Sequence, residues 1–282
     1  MNKEELLEEI ENAKDLSFES IINASGTLFA KVWGQGLLSS LLIVLFSLLV
    51  GIICFIPYIV VLVVLGASAN YMDFHLSNDE RIQIISYIFG GLYSVFAGAI
   101  FIAISAAFYR ICKMKDHGRT GFNDYYYFLK RKYFSKLIVL STVSMGIIIP
   151  SVVYLSYIPL VYLIVPILFS VTIFAFHHEL TIKDIISIAF KLGTDKWLIS
   201  LGFILLIGFV CFVVGFIFCG FGFAFTMTFV SIPLYVIYKQ IFGFDDENRH
   251  EDEDERPVDP YDEKTELIIQ KINELNINNR KK

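Results

Sequence analysis

Along most of this chain polar residues vanish for about twenty positions at a time and then return in clusters. Uncharged apolar runs occupy about residues 36–65, 82–108, 137–154, 157–176, 198–218 and 220–238. Roughly 20 such residues, rising 1.5 Å each along a helix, cross a hydrocarbon core of about 30 Å. The pattern therefore predicts an all-α, polytopic membrane bundle of six transmembrane helices. The first run exceeds one straight, untilted crossing, so it is expected to tilt, protrude or bend near Pro57, which lacks a backbone donor.

A second periodicity precedes the first run. Phe18, Ile21, Ile22, Ser25, Leu28, Phe29 and Val32 recur at three- and four-residue steps, the signature of one helical face. Setting "FESIINASGTLFAKVWGQGLLSSLLIVLFSLLVG" beside "IKDIISIAFKLGTDKWLISLGFILLIGFVCFVVG" aligns Ile21 and Ile22 with Ile185 and Ile186, Trp33 with Trp197, and Gly51 with Gly215. Between them, "FNDYYYFLKRKYFSKLIVL" has the character of a shortened middle copy. Such self-similarity predicts three helix-plus-hairpin repeats, each an amphipathic helix on the cytoplasmic side followed by spans. The amphipathic helices are expected to lie in the interface with Trp33 and Trp197 at headgroup depth; the alternative is that they simply extend the spans.

Charge orients the bundle. Lys3, Lys14 and Lys31 precede the first run, and Arg110, Lys113, Lys115, Arg119, Lys130, Arg131, Lys132 and Lys136 lie at or between the second and third. Lys183, Lys191 and Lys196 follow the fourth, and a further basic set follows the sixth, whereas the other three connections hold only Arg81. Lys and Arg accumulate in short cytoplasmic loops, so both termini are expected inside a bacterial inner (cytoplasmic) membrane. Residues 1–17 read as an acidic N-terminal segment without the basic and apolar regions of a secretory signal, which places the mature start at Met1. Residues 18–244 form the membrane domain, and 245–282 an acidic, largely disordered cytoplasmic tail. In that tail Leu267, Ile268, Ile272 and Leu275 space out a short amphipathic helix that needs a membrane or a partner to order it.

Composition agrees with this class: 56% of the residues are hydrophobic and 27 are Phe, well above the usual content of a soluble domain. Cys54, Cys112, Cys211 and Cys219 are scattered through apolar sequence without paired spacing, so no disulfide framework or zinc site is expected.

The C-terminal unit carries Lys196 and Trp197 at the start of a span, Gly215 and Cys219 near the hairpin, then Pro233, Tyr238 and the exit Ile241–Gly243. In this pattern the chain, over about Phe18 to Phe244, resembles the bacterial six-helix membrane proteins related to the membrane domain of glycerophosphodiester phosphodiesterases. The resemblance implies six helices and brings no catalytic residues. The barrel joined to some members typically needs about 250 residues, for which this chain has no room.

Candidate chemistry is sparse. The six runs contain no Asp, Glu, Lys, Arg or His, and Gln83, beside the start of the second, is their only amide; ion-coupled transporters and many intramembrane enzymes need ionisable groups in the bilayer. No catalytic, cofactor-binding or metal-binding residue is therefore assigned, and no cofactor is expected. Gly90, Ser94 and Gly98, and likewise Gly220, Ala224 and Thr228, recur every four residues and are expected to pack helices within the bundle. The one conspicuous polar group is "FAFHHEL": His177, His178 and Glu179 directly after an apolar run. Adjacent histidines diverge by about 100° on a helix, so the expectation is a polar cap, with Glu179 favouring the start of the next helix; metal binding with His117 or the tail is the sharper, less favoured reading. The sequence thus points to a non-enzymatic module that binds or organises membrane lipids or a protein partner through the basic collar at Lys130, Arg131 and Lys132 or the acidic tail. Its rival is a permease for a small apolar or lipid-like substrate, and no nucleic-acid partner is expected.

Overall fold

The computed structural model describes residues 2–13, 16–68, 78–118, 124–153, 158–217 and 227–243. Among them the chain is all helical. The helices are α1 (Lys3–Asn12), α2 (Phe18–Ser68), α3 (Asn78–Asp116), α4 (Arg131–Val153), α5 (Ile158–Phe176), α6 (Ile182–Asp195), α7 (Trp197–Ile217) and α8 (Ser231–Phe242). Short 3-10 turns, Tyr127–Leu129 and Met227–Val230, precede α4 and α8. One compact unit extends to Phe242; the second begins at Gly243, and its acidic tail lies outside the described residues.

Five helices, α2, α3, α4, α5 and α7, are long and apolar enough to cross a membrane, which marks a multi-pass membrane protein. Of the expected sixth span, residues 220–226 lie outside the described residues; the remainder is the 3-10 turn and the 12-residue α8. The segment "ANYMDFHLSNDE" also falls mostly outside them.

Half of α5's most apolar window is buried, against none of α2's, so the helices play different parts. Tyr109 of α3, Phe128 and Tyr235 of α8 pack their rings against Phe174 and Phe176 of α5. Tyr109, Phe128, Phe174 and Tyr235, with Phe108 of α3, Leu137 of α4 and Phe169 of α5, are among the fully buried side chains. By contrast Leu48, Ile52, Phe55, Ile56, Val60 and Val63 of α2, and Leu205, Phe209, Phe212 and Phe216 of α7, stand exposed. Apolar surface this continuous is untenable in water and needs lipid or a partner as its solvent.

The first amphipathic segment departs from the surface helix expected of it. α2 is one unbroken 51-residue helix running from Phe18 through Pro57, about 76 Å at 1.5 Å per residue, so the segment is a direct continuation of the first apolar run. In the aligned second copy the chain does break, at the Lys196 turn between α6 and α7. The local chemistry accounts for the difference: Phe29, Ala30, Lys31 and Val32 stand where the later copy has Gly193, Thr194, Asp195 and Lys196. Gly, Thr and Asp are poor helix formers and disfavour propagation through that point.

α6 also has its own orientation. It folds back along α5 as an antiparallel hairpin, with Tyr162 Oη 2.9 Å from Thr194 Oγ1 and Trp197 Nε1 donating to the Tyr162 carbonyl at 3.2 Å. The approach is close because Gly193 has no side chain: a Cβ there would lie 2.8 Å from the Pro166 backbone. Trp197 is accordingly half-buried against α5, whereas Trp33 is 57% exposed. Of the first small-residue stripe, Gly98 packs against Ser141 and Met145 of α4, while a side chain at Gly90 would meet open space. The second stripe lies largely outside the described residues.

Candidate functional site

The polar residues of the described chain converge where α5 ends. After Phe176 the backbone turns sharply, and Lys136 of α4 reaches into the turn. Its ammonium donates to the carbonyls of His178 at 2.6 Å, Glu179 at 3.3 Å and Leu180 at 2.9 Å. A helix C-terminus leaves carbonyls unpaired and carries partial negative charge, so one cation placed there satisfies both demands.

In the turn that follows α5 the two histidines point apart. His177 is buried, with Nε2 2.7 Å from the Tyr238 hydroxyl of α8 and Nδ1 3.5 Å from a Glu179 carboxylate oxygen. His178 turns to the opposite side, edge-on to Tyr127, Phe128 and Tyr133, whose ring centroids lie 6.3, 5.9 and 5.1 Å away. The Arg110 guanidinium covers the other side of this aromatic group, 3.7 Å from the Tyr127 centroid, a close cation–π contact. The Tyr127 and Tyr133 hydroxyls lie 3.2 Å apart. Burial would raise the Glu179 carboxyl, but the hydrogen bond from His177, the backbone and the two imidazoles outweigh it and hold its pKa below the ordinary 4.5.

Glu179 does not open the next helix. Thr181 is the N-cap of α6, accepting from Asp184 N–H at 3.3 Å and donating its hydroxyl to the Asp184 carboxylate at 2.6 Å. Asp184 is thus the first-turn acid, the arrangement of a capping pair. Its pKa is lowered by Thr181 first and by Lys3 second.

α8 is tied in from several sides. Asp116, at the end of α3, accepts from Lys239 Nζ at 2.6 Å and from the Tyr235 hydroxyl at 3.1 Å, and Gln240 bonds to Ser20 at the base of α2 at 3.0 Å. α1 completes the layer. Leu6 and Ile10, one turn apart, are buried, while Lys3–Asp184 at 3.0 Å and Glu11–Lys191 at 2.8 Å align it with α6. The expectation of a merely acidic N-terminal segment missed this docking; the signal was the i, i+4 pair of apolar residues among the glutamates.

Lys130, Arg131 and Lys132 remain exposed beside this layer, Lys130 lying 3.5 Å from Asp124 and 4.9 Å from the Tyr127 centroid. His117 bonds back to the Lys113 carbonyl at 2.8 Å. Among the described residues no three His, Cys, Asp or Glu side chains are grouped to hold a metal ion. Among the described residues Cys54, Cys112 and Cys211 form no disulfide, and Cys219 lies outside them.

Away from the polar layer, α3, α4 and α5 leave a cavity of about 230 Å³ between them. Gly98 and Ile102, Met145 and Ile148, and Ile164 and Leu168 form much of its wall, and no polar atom faces it.

Comparison of the chain with family models, curated proteins and solved structures finds no match.

Proposed function

We propose that the chain is a six-span protein of the bacterial cytoplasmic membrane with both termini inside, acting without catalysis of its own as a module that binds or organises membrane lipids or a protein partner. The observation that carries this reading is the partition of charge. The five spanning helices hold no ionisable side chain within their apolar runs, while the ion pairs and charged hydrogen bonds lie at helix ends and in the α1, α6 and α8 layer. In that layer most charges serve internal contacts, and Lys130, Arg131 and Lys132 stand exposed beside it, Lys130 paired with Asp124 at 3.5 Å. A basic residue near an anionic membrane surface gains about 1 kcal/mol, so the trio suits phosphate headgroups or an acidic partner. We place the sixth span at residues 220–238, with only the end of α8, from Tyr235 onward, meeting the polar layer, in keeping with the C-terminal unit's resemblance to the six-helix family. The acidic tail supplies a second docking element.

Purification in native lipid, with copurifying lipids and proteins identified, tests the proposal. Enrichment of anionic lipid or a stoichiometric partner is expected, and replacing the three basic residues with alanine should abolish it. A protein that purifies alone, unaffected by that change, contradicts the reading. The apolar cavity favours one rival, a permease for a small apolar or lipid-like substrate; solute movement catalysed in reconstituted vesicles would establish it instead.

A further inference from the structure

We infer that the cavity between α3, α4 and α5 is a binding site for a hydrocarbon chain, the acyl tail of a membrane lipid being its occupant. Its size is ample: about 230 Å³, against about 150 Å³ for an apolar protein cavity that stays dry yet takes up benzene. Its chemistry is selective. A bound water needs two to four polar partners, and a polar solute would be stripped of solvent with nothing in return; the wall's one polar residue, Ser144, turns no polar atom to the cavity.

Access and adaptability point the same way. Gly98, Ile102 and Val171 form a buried floor, but Phe101, Met145, Ile148, Ile164 and Leu168 are only half-buried, so the cavity is open along one side. A chain can therefore enter laterally while its headgroup stays outside. Met145, unbranched and polarisable, can adjust to a ligand of variable shape. The floor is held firm by Ser141, which donates from α4 to the Val95 carbonyl of α3 at 2.7 Å. The surrounding solvent of these helices is itself made of such chains, so the ligand is present at the highest local concentration of any apolar molecule.

The test uses the full chain in phosphatidylethanolamine–phosphatidylglycerol vesicles containing either a phospholipid with a diazirine in mid-chain or the corresponding free fatty acid. After irradiation, crosslinked residues are located by mass spectrometry. Labelling of Ile102 and Ile148 is expected, and L168F, which fills the space, should reduce it several-fold while labelling of the exposed α7 residues Leu205 and Phe209 is unchanged. I164F provides the same test should the first variant not fold. Labelling by the phospholipid assigns the chain to a resident lipid; labelling by the free acid alone keeps the site and overturns the lipid as its occupant. Cavity positions that stay unlabelled, or that ignore both filling variants, overturn the site while α7 still reports a bilayer. The site depends on α3–α5 standing in a bilayer as proposed above, so an unlabelled α7 removes both readings together.

Discussion

One ammonium group fastens the exit from α5. Lys136 serves three carbonyls at once. K136M should lower stability by about 2 kcal/mol, in the range for hydrogen bonds to charged groups, read as a lower thermal midpoint in detergent; an unchanged midpoint would mean that solvent supplies the caps. The Glu179 carboxyl makes a prediction of opposite character. Its folded pKa lies below 4.5, so its contribution is fully present above that value and is lost as pH falls through the folded one. Thermal unfolding should show a wild-type advantage over E179Q near neutrality that disappears on acidification. The sequence placed His177, His178 and Glu179 at a helix end correctly and weighed them as a cap. It could not supply Tyr238 or Lys136, which lie 61 positions after His177 and 42 before His178 and meet them only through tertiary packing.

Among the elements, five of the six expected spans were the most legible because a single physical quantity, the length of uncharged sequence, decides them. α5 begins one residue from its expected start and ends where expected, at Phe176, and α7 is Trp197–Ile217 against the expected 198–218. Amphipathic segments were less so: periodicity declares that a face is covered without saying by what. α6 is covered by α5 and α1, and the first copy is absorbed into α2. The α5–α6 hairpin depends on the missing side chain at Gly193. G193A should cost about 1–3 kcal/mol, the range for overpacking, because the obstacle is the Pro166 backbone and cannot swing aside. G146A, where a Cβ meets nothing within 4 Å, should be neutral or slightly stabilising, since alanine is the better helix former. Equal effects of the two, measured by thermal or denaturant unfolding in detergent, would show that the hairpin is not tightly packed in solution.

For the whole molecule, the account rests on separation: apolar runs without charge through lipid, and one polar layer in which α1, the start of α6, the C-terminal end of α8 and the exit from α5 are laced together. The collar at Lys130–Lys132, the buried His177–Tyr238 contact and the Asp116–Lys239 pair all belong to that layer. The most direct test is thiol labelling of single cysteines in a variant whose four native cysteines are replaced by alanine, reconstituted with uniform orientation and treated with a membrane-impermeant maleimide. Positions Lys113, Lys132 and Lys183 should all label from one side of the membrane, Glu80 from the other, and Ile53 and Phe209 from neither. Labelling of Ile53 or Phe209 by the impermeant reagent, or a split of the three lysine positions between the two sides, would contradict the account.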